Sequence, residues 1–233
     1  MRVAAIVPAA GRGERLGPGV PKALRLLGGV PMLVHAVRTL SRARLVDVVV
    51  VAAPPGDEAE VRALLDTYDV PTEVRVTTGG ETRQDSVRLA LDSLDPDVDV
   101  VLVHDAARPL APSQLVDDVA QAVARGAEAV IPAMPVADTV KRVEGGRVVE
   151  TLRRDGLYTV QTPQGFTRDL LTKAHEAAVI DGFAGTDDAS LVERLGSPVA
   201  VIDGHPDAAK VTRPGDLVMA EHVLQARLAR REH

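Results

Sequence analysis

The sequence is poor in cysteine and in aromatic residues. It has no cysteine and no tryptophan, and only two tyrosines and two phenylalanines among its 233 residues. The missing cysteines exclude disulfides, thiolate metal sites and cysteine nucleophiles, and they fit a reducing cytosol. Because aromatic residues make up only 2% of the chain, the core must be built from aliphatic side chains. For the same reason, aromatic stacking is not the main way in which a ligand would be held.

Long apolar runs and an excess of positive charge are missing as well. No run approaches the roughly 20 residues that cross a bilayer, and residues 1–8 lack the length and cleavage pattern of a signal peptide. The net charge of −6 disfavours general nucleic-acid binding, because phosphate contacts need a basic surface. We therefore expect a cytoplasmic protein with neither a nucleic acid nor a membrane as its partner.

What the sequence does contain is an alternation of apolar runs and amphipathic segments. The runs predict strands at residues 3–7, 46–53, 73–77, 98–103, 127–131 and 199–202. Helical spacing predicts helices at residues 32–40, 58–65, 86–94, 113–124, 168–179, 187–195 and 215–230. This pattern predicts an α/β fold with a doubly wound, mostly parallel sheet in a single domain over residues 1–233. Ligands of such sheets bind at the carboxyl ends of the strands.

The alternation breaks near Met134, where the pattern predicts an inserted β-hairpin arm. Residues 139–143 and 148–152 would pair across a turn that contains Gly145 and Gly146. A lone two-stranded hairpin is only marginally stable in water. We therefore expect this arm, at about residues 136–160, to pack on something else, such as a second subunit.

The loop after the first strand is typical of a polyphosphate site. Residues 8–22 read PAAGRGERLGPGVPK, in which small residues let backbone N–H groups approach a ligand, and Arg15 and Lys22 add two positive charges. The loop lacks the Gly-Lys-Ser/Thr of a Walker P-loop and the third glycine of a dinucleotide fingerprint. The alternative interpretation is a flexible strand-to-helix loop.

A second glycine loop follows the strand at residues 73–77. Its sequence, TGGETRQDS over residues 78–86, again exposes backbone groups at Gly79 and Gly80. Asp85 or Ser86 could simply cap the helix that follows, and taken alone capping is the favoured interpretation of these two residues.

The most hydrophobic strand is followed by HDAARP at residues 104–109. Burying an ionised carboxylate at the end of such a strand is unfavourable unless the carboxylate is paired or bound to a metal. A carboxylate is also a hard oxygen ligand, which suits Mg²⁺. Asp105 is therefore a candidate metal ligand. The alternative is an ion pair between Asp105 and Arg108 that shapes the turn, and His104 is interpreted as structural.

Polar segments also interrupt the second half of the chain, at residues 162–166, 185–190 and 207–212. Thr186 is predicted to cap a helix, whereas Lys210 has no evident structural role. No Ser-His-Asp order, no His-x-x-x-His and no cysteine supports nucleophilic hydrolysis or zinc chemistry.

The remaining candidates are cations and carboxylates, a combination that suits phosphoryl or nucleotidyl transfer. In those reactions, positioning of the reacting groups and neutralisation of their charge supply most of the rate enhancement. The candidates are Arg15, Lys22, Arg154 and Lys210, with Asp105 and Asp207 for a metal.

Taken together, these motifs resemble a known enzyme family. The loop at residues 8–22 is similar to the sugar-nucleotidyltransferase signature. The set at residues 78–86, 104–109, 162–164, 186–190 and 210–212 is more specific. In order and spacing, over nearly the whole chain, it resembles the 2-C-methyl-D-erythritol 4-phosphate cytidylyltransferases of the non-mevalonate isoprenoid pathway.

The resemblance implies a reaction and a set of site residues. The family joins CTP to methylerythritol 4-phosphate with Mg²⁺, and releases pyrophosphate. The implied catalytic residues are Arg15, Lys22, Arg154 and Lys210. The implied nucleotide-binding residues are Pro8, Ala9, Ala10, Gly11, Gly80, Glu81, Ser86, Asp105 and Ala106. The implied substrate-binding residues are Asp105, Arg108, Thr139, Arg154, Thr162, Thr186, Asp207 and Lys210, and the implied metal ligands are Asp105 and Asp207.

The resemblance also implies a homodimer in which the arm reaches into the partner's site, so that Thr139 and Arg154 act across the interface. Glu81 stands where the family also often has Asp. The chain ends about where the first activity of fused relatives ends, so we expect a monofunctional enzyme.

Three alternatives stand beside this interpretation, and the sequence disfavours the second and third. Ribitol 5-phosphate cytidylyltransferases share much of the pattern. A regulatory nucleotide-binding protein on a transferase fold should have lost its cations or carboxylates. A nicotinamide dehydrogenase needs a third glycine and an acidic residue about 20 positions further on, which the sequence lacks in the right context.

Overall fold

The computed structural model describes residues 1–11 and 21–230. The strands are β1 (Val3–Pro8), β2 (Leu26–Leu27), β3 (Val30–Pro31), β4 (Val48–Ala53), β5 (Glu73–Thr78), β6 (Val100–Val103), β7 (Ala129–Pro135), β8 (Val140–Glu144), β9 (Arg147–Leu152), β10 (Tyr158–Val160), β11 (Gln164–Thr167) and β12 (Ala200–Asp203). The helices are α1 (Met32–Ser41), α2 (Glu58–Asp66), α3 (Arg83–Asp92), α4 (Ser113–Ala124), α5 (Arg168–Ile180), α6 (Asp188–Arg194) and α7 (Pro214–Ala229). Two 3₁₀ turns, Lys22–Leu24 and Pro206–Ala208, complete these elements.

The central sheet has eight strands in the order β10-β7-β11-β6-β1-β4-β5, with β12 paired to β7. The pairs β1–β4, β1–β6, β4–β5 and β7–β12 are parallel. By contrast, β11 runs antiparallel between β6 and β7, and β10 runs antiparallel to β7. The sheet is therefore mixed and mostly parallel, which confirms the predicted α/β fold.

Helices cover both faces of this sheet because successive residues of a strand point to opposite sides. In β1, Val3, Ala5 and Val7 pack into one core with side chains of α1, α2 and α4. Ala4 and Ile6 pack into the other core with side chains of α3, α5 and α6. Both cores are almost entirely aliphatic, as the composition predicts.

The strands β10 and β11 are missing from the sequence prediction. The sequence of β11, QGFT, has no apolar run, yet Gln164, Gly165 and Phe166 are buried. A Cβ at Gly165 would lie 2.6 Å from Val119 Cγ1 of α4, so only glycine lets that helix pack so closely on the strand.

The starts of α3 and α6 differ from the prediction because of their caps. Helix α3 begins at Arg83 rather than near 86, because Thr82 and Asp85 form a capping box. Helix α6 is capped by Asp187, which bonds Ser190 in the same manner, so the prediction of Thr186 as the cap was wrong.

The predicted arm is present as the hairpin β8–β9. Residues 141–150 are all exposed. Within residues 1–11 and 21–230, no helix is long and apolar enough to span a membrane.

Candidate functional site

Three loops meet where β1, β5 and β6 end. Backbone bonds extend the sheet past each strand end: Ala9 N–H donates to Ala52 O over 2.9 Å, and Gly79 N–H donates to Ala53 O over 2.7 Å. A Cβ on Gly79 would lie 2.7 Å from Ala10 Cβ and 2.8 Å from Ala53 O, so the loop needs glycine there. The carboxyl edge of the sheet thus brings the predicted motifs together, as expected for this fold.

The loops enclose an open cavity of about 250 Å³. Its described lining residues are Pro8, Ala9, Ala10, Gly11, Lys22, Ala23, Arg83, Ser86, Asp105, Ala106, Ala107 and Lys210. The structure therefore brings together most of the residues predicted to bind a nucleotide, along with Lys22 and Lys210. Gly80 and Glu81 are not part of this described lining, and Arg15 lies outside the described residues.

Local hydrogen bonds shape the rim of the cavity. Ser86 Oγ accepts the N–H of Gly80 over 3.1 Å and donates to Thr82 O over 2.9 Å. The side chain of Ser86 therefore ties the glycine loop to the first turns of α3. Asp85 takes part in the capping box, so the capping interpretation holds for Asp85 while Ser86 faces the cavity.

Asp105 lies between two cations at the floor of the cavity. Its Oδ1 accepts from Arg83 Nε over 2.9 Å, and its Oδ2 accepts from Lys210 Nζ over 2.6 Å. Burial opposes ionisation of this carboxyl, but Arg83 and Lys210 outweigh burial and hold its pKa well below the usual range. Asp105 is thus ionised at neutral pH.

Sequence reasoning assigned no role to Arg83, although it lines the cavity. Its Nη1 also bonds Asp188 Oδ2 over 2.7 Å, so one guanidinium joins two buried carboxylates. Burial disfavours its charge, but Asp188 and Asp105 together raise the pKa of Arg83 above its usual value. The signal in the sequence was an arginine directly after a glycine loop, at the start of a helix.

The turn after β6 is organised by the neighbouring residues. His104 is fully buried. Its Nε2 lies 3.2 Å from Arg108 O and its Nδ1 lies 3.0 Å from Thr162 Oγ1, which in turn accepts the N–H of Asp105 over 3.0 Å. Burial lowers the pKa of His104 to about 4, so the ring is neutral and Nε2 donates to the carbonyl. Full burial and two hydrogen-bonded ring nitrogens agree with the interpretation of His104 as structural.

Arg108 also supports this turn. Its guanidinium donates to Ala208 O over 2.7 Å and to Val160 O over 2.9 Å. The alternative in which Arg108 pairs with Asp105 was wrong, because the Asp105 carboxylate is engaged by Arg83 and Lys210. The bonds from the Arg108 guanidinium to these two carbonyls instead join the β6 turn to the segments that carry residues 160 and 208.

A family model described as 2-C-methyl-D-erythritol 4-phosphate cytidylyltransferase matches residues 3–226. This chain belongs to that family.

Individual relatives agree with the family match. A 2-C-methyl-D-erythritol 4-phosphate cytidylyltransferase of Streptomyces avermitilis is 57% identical, over 97% of this chain and 93% of its own length. One of Frankia casuarinae is 60% identical, over 96% of this chain and 81% of its own length.

Solved structures of the family share the fold. The 4-diphosphocytidyl-2C-methyl-D-erythritol synthase of Anaerococcus prevotii superposes with a TM-score of 0.83 at 32% identity, covering 96% of each chain. The 2-C-methyl-D-erythritol 4-phosphate cytidylyltransferase of Thermus thermophilus has a TM-score of 0.80 at 36% identity, over 97% of this chain and all of that one.

Several residues that the family resemblance assigns to binding of methylerythritol 4-phosphate lie away from the cavity. Thr139 and Arg154 are exposed on the arm, and Arg154 Nη1 donates to Ala137 O. Thr186 is exposed just before α6. Within one described chain these residues do not reach the cavity lining, so their roles stay predictions.

The second predicted metal ligand, Asp207, is engaged by an arginine. Asp207 pairs with Arg227 Nε of α7 over 3.0 Å and is not among the described lining residues. Within residues 1–11 and 21–230, no group of three or more His, Asp or Glu side chains forms a ready metal site.

Asp105 alone fits a magnesium site, as the one carboxylate in the described lining. Mg²⁺ is usually held by one or two carboxylates with phosphate oxygens and water. The chemistry of the lining therefore fits an ion that arrives with a triphosphate.

Proposed function

We propose that this cavity holds the triphosphate of CTP against the phosphate of 2-C-methyl-D-erythritol 4-phosphate and joins them. The family supplies the overall reaction: the chain is a CTP-dependent cytidylyltransferase of the non-mevalonate isoprenoid pathway, forming 4-diphosphocytidyl-2-C-methyl-D-erythritol and pyrophosphate. The observation that carries the proposal is that Lys22 and Lys210, far apart in sequence, line one cavity with Arg83 and Asp105.

The chemistry needs positioning and charge neutralisation rather than a general base. An oxygen of the polyol phosphate forms a bond to the α-phosphorus of CTP. The bond from that phosphorus to the bridging oxygen breaks, and its electron pair leaves with pyrophosphate. The attacking phosphate has a second pKa of about 6, so it is largely a dianion at neutral pH. The task of the protein is to bring two anions together.

Cations from separate parts of the chain would share that task. Lys22 and Arg15 would bind the triphosphate and stabilise the charge that develops at the α-phosphorus. Lys210 and Arg154 would bind the polyol phosphate, with Arg108, Thr139, Thr162, Thr186 and Asp207 nearby. The backbone of residues 8–11, with Gly80, Glu81, Ser86 and Ala106, would hold cytidine in a pocket whose described lining has no aromatic side chain.

Asp105, and by the family resemblance Asp207, would hold Mg²⁺ together with the substrate phosphates. When bound, the ion would neutralise phosphate charge and polarise the phosphorus–oxygen bonds.

The functional unit would be a homodimer in which the arm, residues 136–160, crosses to the partner. Three valines of the arm, Val143, Val148 and Val149, are 51–60% exposed, and Tyr158 is 53% exposed. Large apolar side chains that stay exposed on an arm of this kind support a surface that another chain covers. Thr139 and Arg154 would then complete the partner's site.

We further propose one domain per chain, acting in the cytoplasm where CTP is available.

The test is pyrophosphate release with CTP, Mg²⁺ and methylerythritol 4-phosphate, beside ribitol 5-phosphate and beside ATP, GTP and UTP. Turnover confined to CTP with methylerythritol phosphate supports the proposal. Turnover with ribitol phosphate instead would contradict the substrate, an alternative for which the comparisons give no support. Tight CTP binding without turnover would favour the regulatory alternative.

A further inference from the structure

A row of alternating charges leads from the cavity into the core behind it. Lys210 Nζ bonds Asp105 Oδ2 over 2.6 Å, and Asp105 Oδ1 bonds Arg83 Nε over 2.9 Å. Arg83 Nη1 bonds Asp188 Oδ2 over 2.7 Å, and Asp188 Oδ1 lies 3.2 Å from Nε2 of the buried His175. The proposed substrate cation is therefore connected to a buried carboxylate that is not part of the described cavity lining.

The inner end of this row is buried and held by several contacts. Only 1% of the Asp188 side chain is exposed. Gln164 of β11 holds the start of α6, because its Oε1 accepts the N–H of Ala189 over 3.1 Å and its Nε2 donates to Asp187 over 2.7 Å. Asp188 thus sits at a point that is fixed by the sheet and by α5 through His175.

The outer end of the row is more exposed. The Lys210 side chain is 38% exposed and ends in a flexible four-carbon stem. Arg83 is planar and bonds two carboxylates at once, so its orientation depends on both of them. Without Asp188 the guanidinium would lose one of its two anchors, and it would hold the Asp105 carboxylate less firmly in the orientation that bonds Lys210.

We propose that Asp188 is a positioning residue for the transfer reaction. Acting through Arg83, it fixes the orientation of Asp105, and Asp105 in turn holds Lys210 Nζ where the polyol phosphate binds. This inference rests on the proposed role of Lys210. It gives a function to Asp188 that its place at the start of α6 does not by itself require.

The test is steady-state kinetics of Asp188→Asn, which keeps the size of the side chain and removes its charge. We expect the KM for methylerythritol 4-phosphate to rise about threefold to tenfold while the KM for CTP changes by less than about twofold. A purely structural role would lower the fraction of active enzyme and hence the apparent kcat, and would leave both KM values alone. The matched control is Asp117→Asn, since Asp117 is also buried and binds Leu45 N–H and Arg44 in the opposite helical layer. It should change neither KM.

A second variant tests the path through Arg83 and is informative even if Asp188→Asn folds poorly. Arg83→Lys keeps the charge but cannot hold both carboxylates in one plane, so the same selective rise in KM is expected. Adding Asp188→Asn to Arg83→Lys should give little further change, because both act on one path. Fully additive effects, or equal changes in both KM values, would overturn the inference.

Lys210→Ala separates this inference from the proposed function. If Lys210→Ala raises the KM for the polyol phosphate and Asp188→Asn does not, the positioning role is wrong while the site assignment stands. If Lys210→Ala itself leaves that KM unchanged, the assignment of Lys210 is wrong, and the inference falls with it.

Discussion

Lys210 Nζ lies 2.6 Å from Asp105 Oδ2, although the two residues are 105 positions apart in the chain. The contact brings a cation from the segment before α7 to the end of β6, the strand that pairs with β1 at the middle of the sheet. One cavity thereby receives positive charge from the start, the middle and the end of the chain. Two phosphates that repel each other need such a distribution of charge.

Removal of Lys22 or Arg15 should act mainly on turnover. Lys22→Ala and Arg15→Ala are each expected to lower kcat at least about a hundredfold, the scale for loss of a charge partner in the transition state. Lys173→Ala, which removes an exposed lysine of α5, should retain the parent rate. Variants of Lys22 or Arg15 with activity within a few-fold of the parent would exclude the proposed role.

The crossed dimer predicts complementation between two impaired variants, assayed at a polyol phosphate concentration well below the raised KM. Arg154→Ala should mainly raise the KM for the polyol phosphate. When it is mixed with Lys22→Ala, heterodimers should regain activity, because one of the two sites then has both native residues. Arg153→Ala is the matched control, since the Arg153 side chain is 89% exposed beside Asp155, and it should behave like the parent. Verified heterodimers without recovered activity would contradict the crossing of the arm.

Gly79→Ala should weaken CTP binding. The added Cβ would lie 2.7 Å from Ala10 Cβ and 2.8 Å from Ala53 O, so the first loop must move. The expected result is a raised KM for CTP with little change in the KM for the polyol phosphate. Gly215→Ala is the control, since its Cβ would meet nothing within 4 Å. Equal KM values for CTP in the two alanine variants would show that the close contact of Gly79 with Ala10 and Ala53 is not needed for CTP binding.

Thr162→Val should destabilise the fold and disturb Asp105. The substitution removes the oxygen that accepts Asp105 N–H and the hydroxyl beside His104 Nδ1. Leaving such buried groups unpaired costs about 1–3 kcal/mol of unfolding free energy, measurable by urea denaturation. Thr172→Val, on a partly exposed position of α5, should change this free energy little. A Thr162→Val protein as stable as the parent would show that the turn can be rebuilt without this hydroxyl.

The row of alternating charges that ends at Asp188 also predicts how the unfolding free energy depends on pH. Burial alone would raise the pKa of Asp188, but Arg83 and His175 outweigh it and hold the pKa below its usual value. A carboxyl whose pKa is lower in the folded state binds more protons when unfolded. Its contribution is therefore complete above the unfolded pKa of about 3.9 and is lost as pH falls below it.

Urea denaturation from pH 7 to pH 3 measures this dependence. The unfolding free energy of Asp188→Asn should fall less steeply at acid pH than that of the parent. Asp92→Asn, which changes an exposed carboxylate at the end of α3, should follow the parent. Identical acid slopes for Asp188→Asn and the parent would contradict the prediction.

Much of the fold could be predicted from local patterns. The valine-rich runs of β1, β4 and β6 predicted central strands, because side chains that are apolar on both faces must be covered by helices. Helix α4 was predicted with its observed bounds, since its apolar spacing and the proline before it are local signals. The order of the glycine and Asp-Ala-Ala-Arg motifs was enough to indicate the family.

The sequence by itself therefore determined the layers of the fold, the family and the loops that form the site. The tertiary structure decided which charges meet. Three features join residues far apart in the chain. They are the place of β11 between β6 and β7, the bridge from Asp105 through Arg83 to Asp188, and the bonds from the Arg108 guanidinium to distant carbonyls. Local periodicity reports only whether a segment is buried and in which conformation. Ion pairs depend on strand order and on how closely helices approach, as at Gly165, and both are set only when the whole sheet is assembled.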